Sequence, residues 1–256
     1  MIHNIFVHLA LMIKIISGIL VTIWRIWFIL LAIVPILIFL PIIVISILRE
    51  KWFPYFFKIA RAWAHVIFYG MGFRFKKEIK QAIDPNKSYM FIGNHSSMMD
   101  IMLMFILIKN PFVFVGKKEL GKIPVFGFIY KRTAILVDRS SPASRKAVYD
   151  NANRRIKNGT SVCIFPEGGV PERDVLLADF KKGAFRLAIE HQIPIVPITF
   201  CGLKDFFPFE WWYGKPAKIK VTIHKHIEVE GLTLDNVNDL TKTSWDIIHQ
   251  ALLECK

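Results

Sequence analysis

Charge is almost missing from the first 48 residues, which contain no Asp or Glu and only two basic side chains, Lys14 and Arg25. That absence removes an ordinary soluble surface from this part of the chain. It also locates the apolar excess of a molecule that is 54% hydrophobic with a mean hydropathy of +0.40. Cysteine is scarce as well. Cys163, Cys201 and Cys255 are far apart and odd in number, so they give no disulfide framework and no metal-ligand spacing, and buried small apolar roles are expected for the first two. The formal charge of +14 would suit a nucleic-acid partner, but zinc spacing, a helix-turn-helix signal and an RNA-binding aromatic motif are all lacking. Internal repeats and low-complexity linkers are absent too. The 256 residues suffice for one full domain plus an appendage.

What the N-terminus does contain is apolar length. Residues 26–48 form an apolar run interrupted only by Ser46, long enough at about 1.5 Å per residue to cross a hydrocarbon core of roughly 30 Å. Pro35 and Pro41 favour kinks in it. Residues 5–24 make a second apolar stretch, weakened by His8 and Lys14. The pair reads either as one crossing with an amphipathic lead-in or as a hairpin dipping into one leaflet. The apolar region is too long for a cleaved signal peptide, and no small-residue cleavage site follows it. Arg49, Lys51, Lys58 and Arg61 come next, which favours a cytoplasmic face for the remainder. Residues 52–75 mix Trp, Phe and Tyr with Lys and Arg, as suits a helix at headgroup level. The expected division is membrane-embedded and interfacial helices over residues 1–74 and a second domain over residues 75–256, at the cell membrane.

Beyond about residue 80, short apolar runs alternate with helical patterns. Strands are expected at residues 89–92, 112–115, 134–137, 161–165, 195–200 and 219–223, and helices at 98–108, 142–157, 181–191 and 236–256. Strands alternating with helices predict an α/β fold with a mixed, largely parallel sheet flanked by helices. Ligands in such sheets gather beyond the carboxyl ends of the strands, where three polar segments fall.

Asn94-His95-Ser96-Ser97-Met98-Met99-Asp100 follows the first of those strands. Five positions inside one helix would put His95 and Asp100 about 140° apart around the axis. The spacing suits a contact only if His95 lies on the loop and the helix begins at Ser96 or Ser97. A base held by an acid at a strand exit can deprotonate a hydroxyl near neutral pH. Ser97 with Asp100 also resembles a capping box, in which Asp100 serves only the helix. Further on, Gly116-Lys117-Lys118-Glu119-Leu120 offers point charges for a phosphate, and Asp138-Arg139 a further cation. Phe165-Pro166-Glu167-Gly168 ends a strand with an acid able to accept from substrate hydroxyls and a glycine that lets backbone approach a ligand. Pro197 inside an apolar strand suggests an edge or a bulge.

In this order and at these intervals, the segments resemble the lysophospholipid and glycerol-phosphate acyltransferase family over about residues 75 to 225. His95 and Asp100 match its His-four-residues-Asp motif. Lys117, Glu119 and Leu120, followed by Pro124 and Gly127, are similar to its Lys-x-Glu-Leu block. Residues 165–168 match Phe-Pro-Glu-Gly, and Val196-Pro197-Ile198 its Val-Pro-Ile block. One departure concerns the acceptor headgroup. Where the family usually continues with Thr-Arg-Ser, this chain has Gly169-Val170-Pro171, with Arg173 the nearest arginine. The resemblance implies acyl transfer from acyl-CoA or an acyl-carrier protein to the free hydroxyl of a lysophospholipid, foremost 1-acyl-glycerol-3-phosphate. It implies no metal and no resident cofactor, with membrane lipids as partners. His95 and Asp100 would be catalytic, and Lys117, Arg139, Glu167 and Gly168 would bind the acceptor. Another lyso-lipid acceptor, or a non-catalytic membrane scaffold, are the alternatives.

Overall fold

The computed structural model describes residues 2–138 and 141–255. Arg139 lies outside them. The chain begins with α1 (Ile2–Ile38) and α2 (Leu40–Ile47), followed by a 3-10 turn and α3 (Phe53–Gly70). The α/β part runs β1 (Arg74–Ile79), β2 (Met90–Gly93), α4 (Met98–Leu107), β3 (Phe112–Lys117), α5 (Phe126–Thr133), β4 (Ile135–Val137), α6 (Pro142–Lys157), β5 (Ser161–Ile164), α7 (Gly183–Glu190), β6 (Ile195–Phe200), α8 (Leu203–Phe206), β7 (Lys218–Ile223) and α9 (Val237–Leu253).

The two apolar stretches at the N-terminus are one helix and a short second one. Helix α1 passes through Pro35, and the chain breaks at Phe39. Pro41 falls in the first turn of α2, where its missing N–H leaves no bond unmade. The segment Phe6–Ile38 is long and apolar enough to cross a bilayer, and only 6% of its most apolar window is buried. Its later part is docked. Trp24, Phe28, Leu31 and Ala32 pack against the core. The indole N–H groups of Trp24 and Trp27 donate to the carbonyls of Met71 and Gly70 at 3.2 and 3.0 Å, and Trp63 of α3 donates to Ala32 O at 2.9 Å. Helix α3 turns Phe57, Ala64, Ile67 and Phe68 into the same core as the sheet. Its apolar face is therefore spent on the domain, and one core spans residues on both sides of position 75.

The seven strands are ordered β1-β7-β6-β2-β5-β3-β4. All neighbouring pairs are parallel except β6 with β7. The sheet is thus mixed and largely parallel, with β2 and β5 at its centre. Every residue of β2 is buried, as expected for a strand covered on both faces. Two expectations are settled by the structure. Of the edge and the bulge expected at Pro197 the edge is excluded, since β6 lies between β2 and β7, and the bulge is met, since the antiparallel register slips by one residue between the pairs Ile198–Ile223 and Ile195–Ile227. The Pro197 carbonyl accepts from His224 N at 3.0 Å where β7 has already ended, and pairing with the following chain resumes only at Ile195 and Ile227. The proline therefore sits where the ladder is interrupted and no donor is needed. Second, Cys201 and Cys255 form a disulfide, their Cα atoms 5.7 Å apart and 54 residues apart in sequence. The end of β6 and the C-terminus of α9 meet in space, which spacing alone did not reveal. Cys163 on β5 is buried as expected, and burial holds its thiol well above the usual range.

Candidate active site

Strand β2 delivers the site. Its last residue, Gly93, has room for little else, since a Cβ there would lie 3.1 Å from both Ile198 O and the Phe200 ring. Asn94 continues the sheet with its side chain. The amide donates to Phe200 O at 3.0 Å and accepts from Phe200 N at 2.8 Å. The backbone is thereby fixed on β6 one residue before His95.

Helix α4 then starts at Met98 with Ser97 as N-cap. Ser97 Oγ accepts from Met99 N at 3.1 Å and donates to Phe207 O at 2.6 Å. Asp100, 0% exposed, accepts on Oδ2 from Ser96 N at 2.6 Å and Ser97 N at 2.8 Å, and the same oxygen lies 3.1 Å from His95 Nδ1. The capping box and the His–Asp pair are thus one structure rather than alternatives. The cap holds the carboxylate still while the carboxylate holds the imidazole. A carboxylate can only accept, so the proton between them is on Nδ1, which leaves Nε2 as the nitrogen free to act on a substrate. The ring stacks on Phe165 at 4.3 Å and meets Phe209 edge-on at 6.1 Å, with 17% of the side chain exposed.

Glu167 reaches the same place from the end of β5. Its Oε1 accepts from His95 N at 2.6 Å and its Oε2 from Ala178 N at 2.9 Å. The carboxyl is 7% exposed, and burial raises its pKa, an effect opposed by the two backbone N–H donors. Both oxygens, assigned from sequence to substrate hydroxyls, are engaged by the protein's own backbone. Gly168 adopts φ 78° and donates to Phe165 O at 3.1 Å, closing a turn that most side chains would strain. Lys117 stands exposed at the end of β3, two strands from β2 or roughly 10 Å along the sheet. Arg173 is not pointing into open space, for its guanidinium lies 4.6 Å over the Tyr213 ring. Among the described residues no cluster of metal-ligating side chains occurs.

Three contributors went unread in the sequence. Asn94 and Phe165 were visible within the motifs but given no role. Arg25 of α1, 4% exposed, donates to the carbonyls of Glu210, at 2.9 Å, and Tyr213, and its guanidinium lies 4.1 Å over Phe207. It ties α1 to the loop that carries Phe209 to His95. Its signal was one of only two Lys or Arg residues in an apolar helix, the other being Lys14.

Comparison with known proteins bears on the fold and the family. A solved structure, the lysophosphatidate acyltransferase PlsC of Thermotoga maritima, superposes with a TM-score of 0.77 over 94% of this chain and 97% of that one, at 23% identity, and so shares the fold. The 1-acyl-sn-glycerol-3-phosphate acyltransferase of Haemophilus influenzae is 32% identical over 70% of this chain and 71% of its own length. An uncharacterised acyltransferase of Schizosaccharomyces pombe is 31% identical over 72% and 67% respectively. Residues 74–201, from the first strand of the sheet to the disulfide cysteine beyond β6, match the Acyltransferase family, and with the His–Asp pair lodged inside that span the chain belongs to it.

Proposed function

We propose that the protein transfers a fatty acyl group from acyl-CoA or an acyl-carrier protein to the free hydroxyl of 1-acyl-glycerol-3-phosphate, giving phosphatidic acid. The observation that carries this is the 3.1 Å contact of His95 Nδ1 with the buried, capped carboxylate of Asp100. The names of the relatives supply the acceptor. Nε2 of His95 takes the hydroxyl proton as the oxygen attacks the thioester carbonyl carbon. The tetrahedral intermediate then collapses, the C–S bond breaks, and the thiolate leaves with the proton returned by the imidazolium. Asp100 stabilises that imidazolium and fixes its orientation. Lys117 and Arg139 hold the acceptor phosphate. Glu167 acts through His95, whose backbone it anchors, and Gly168 lets the adjoining backbone close under the glycerol.

The test is acyl transfer by His95→Ala and Asp100→Asn proteins that still fold and reach the membrane. A loss of about 10²–10⁴-fold is expected; full activity in both would end this reading. The departure at residues 169–171 favours one second acceptor class, a lyso-lipid without phosphate. Lys117→Ala separates the two, raising the acceptor KM strongly only when the acceptor carries a phosphate. The Lys and Arg that follow the apolar helices support a cytoplasmic face of the cell membrane for the catalytic domain. Alkylation of thiols in intact cells checks this. The Cys201–Cys255 disulfide weighs against that face, since such bonds persist in oxidising compartments: three free thiols would show the pair reduced and support the cytoplasmic face, whereas one free thiol, Cys163, would overturn it.

A further inference from the structure

A cavity of about 460 Å³ opens where α2 ends, bounded by residues 46–50, the end of α5, the start of β4, and α6. It borders the edge strand β4, three strands from β2 or about 14 Å along the sheet, and is separate from the His95 site. Its walls carry five cations, Arg49, Lys131, Arg132, Arg154 and Arg155, against a single carboxylate, Glu50. Glu50 is already committed, with Oε1 3.2 Å from Arg154 Nε and Oε2 accepting from Asn158 at 3.1 Å. Arg155 is buried, donates to Arg132 O at 2.7 Å and lies 5.0 Å over the Phe53 ring.

The remaining three cations have no carboxylate within ion-pair distance among the described residues. Aromatic rings hold two of them at the rim, Arg49 5.2 Å over Trp52 and Arg132 3.9 Å over Phe128. Like charges gathered in a concavity raise its potential, and an anion placed there relieves the repulsion. Guanidinium groups match phosphate oxygens two at a time. The mouth says where that phosphate comes from. Ile42, Ile45 and Leu48 of α2 and the turn after it are exposed beside it and continue the uncovered apolar surface of α1. A headgroup seated in the cavity can leave its acyl chains against that surface.

We propose that this cavity is a second, non-catalytic site for the phosphate-bearing headgroup of an anionic membrane lipid. The full-length protein in neutral detergent micelles is titrated with phosphatidylglycerol, phosphatidylcholine, inorganic phosphate and glycerol 3-phosphate, and thermal stabilisation reports binding. Phosphatidylglycerol should stabilise it at the lowest concentration. In the double variant Arg49→Gln/Arg132→Gln its apparent Kd should rise about 25-fold, at roughly five-fold per cation. Lys76→Gln/Lys77→Gln, on the exposed strand β1, serves as the control and should bind as the parent does. Equal losses in the two double variants would overturn the proposal by reducing the effect to net charge. Inorganic phosphate binding as tightly as the lipid, with the same loss in Arg49→Gln/Arg132→Gln, would overturn the lipid source. Acyl transfer in neutral detergent is measured alongside. It should be unchanged in Arg49→Gln/Arg132→Gln, and a raised acceptor KM would overturn the separation from the catalytic site. The binding readout stands whether or not the proposed reaction is correct.

Discussion

Helices α1 and α4 are both almost wholly apolar, and they end in opposite environments. Helix α4 has 10 residues and turns Met99, Met102, Leu103, Met104 and Ile106 into the core. The apolar segment of α1 has 33 residues and leaves most of its side chains uncovered. At about 1.5 Å per residue α4 is roughly 15 Å long, the width of a domain layer, while that segment is roughly 50 Å and exceeds a bilayer core. Composition alone does not separate the two fates. What separates them is length, together with polar atoms that mark a docking side. In α4 these are the capped first turn, Ser97 and Asp100. In α1 they are Trp24, Arg25 and Trp27, whose two indole N–H groups and the guanidinium Nη2 find carbonyls of the α/β part or the end of α3, while Arg25 Nε has no partner among the described residues. Ahead of Trp24 nothing of the kind occurs, and residues 6–23, roughly 27 Å of helix, project free of the domain.

The widest gap between the two helices should appear on truncating a leucine in each. Leu103→Ala empties a fully buried position and is expected to lower unfolding stability by about 2–5 kcal/mol. Leu11→Ala, at an exposed position of α1, should change it by less than about 0.5 kcal/mol in detergent. Denaturant unfolding of the solubilised protein measures both. Equal losses would mean that α1 is covered by something other than lipid or detergent.

Buried polarity on the domain side gives the next largest effect. His224 is buried, its Nε2 2.9 Å from Thr199 Oγ1, and burial, with help from Lys80, lowers its pKa from 6.5 to about 4. The folded state thus binds fewer protons than the unfolded state between those values. Stability from this group is full above pH 6.5 and is lost as pH falls towards 4, by up to about 3 kcal/mol. The melting temperature should fall over that window and fall less in His224→Gln. A flat profile would show that protonated His224 is tolerated in the fold.

Much of the domain was legible because its strands are short apolar runs bounded by turn residues, and six of seven were placed within two residues of their ends. Strand β1 was missed because Arg74–Ile79 is an edge strand carrying exposed lysines and shows no apolar alternation. Helix α5 was hidden behind glycines and Pro124 that read as a loop. At the site, His95 and Asp100 were legible since only four residues separate them. Glu167, 72 positions away, could be named but not placed, because nothing local says that its oxygens are taken by His95 N and Ala178 N. Arg25 is 185 residues from Glu210, beyond any periodicity argument.

Arg25 is the point at which the two helices' environments meet. Arg25→Leu keeps the apolar surface of α1 and removes the donors to Glu210 and Tyr213, bonds of a class worth about 1.5–3 kcal/mol when the donor is charged. Residues 207–213 should then exchange amide hydrogens faster while the sheet does not. Because Phe209 rests against His95 through this loop, kcat should fall several-fold with membrane association intact. Unchanged exchange in the loop would mean that Trp24 and Phe28 hold it without the cation.

Ser97→Ala should have the smallest effect and the most local one. The hydroxyl caps α4 through Met99 N and also donates to Phe207 O, so it joins the first turn of the buried helix to the loop tied by Arg25. Losing an N-cap of this type costs about 1 kcal/mol. Asp100 keeps its bonds to the N–H groups of residues 96 and 97, so the imidazole stays in place and activity should fall by less than in Arg25→Leu. Combining the two changes decides whether the loop has one tether or two. If α1 and α4 hold it independently, the losses in kcat multiply. If the double variant is no worse than Arg25→Leu, the cation alone sets the loop, and the serine serves only its own helix.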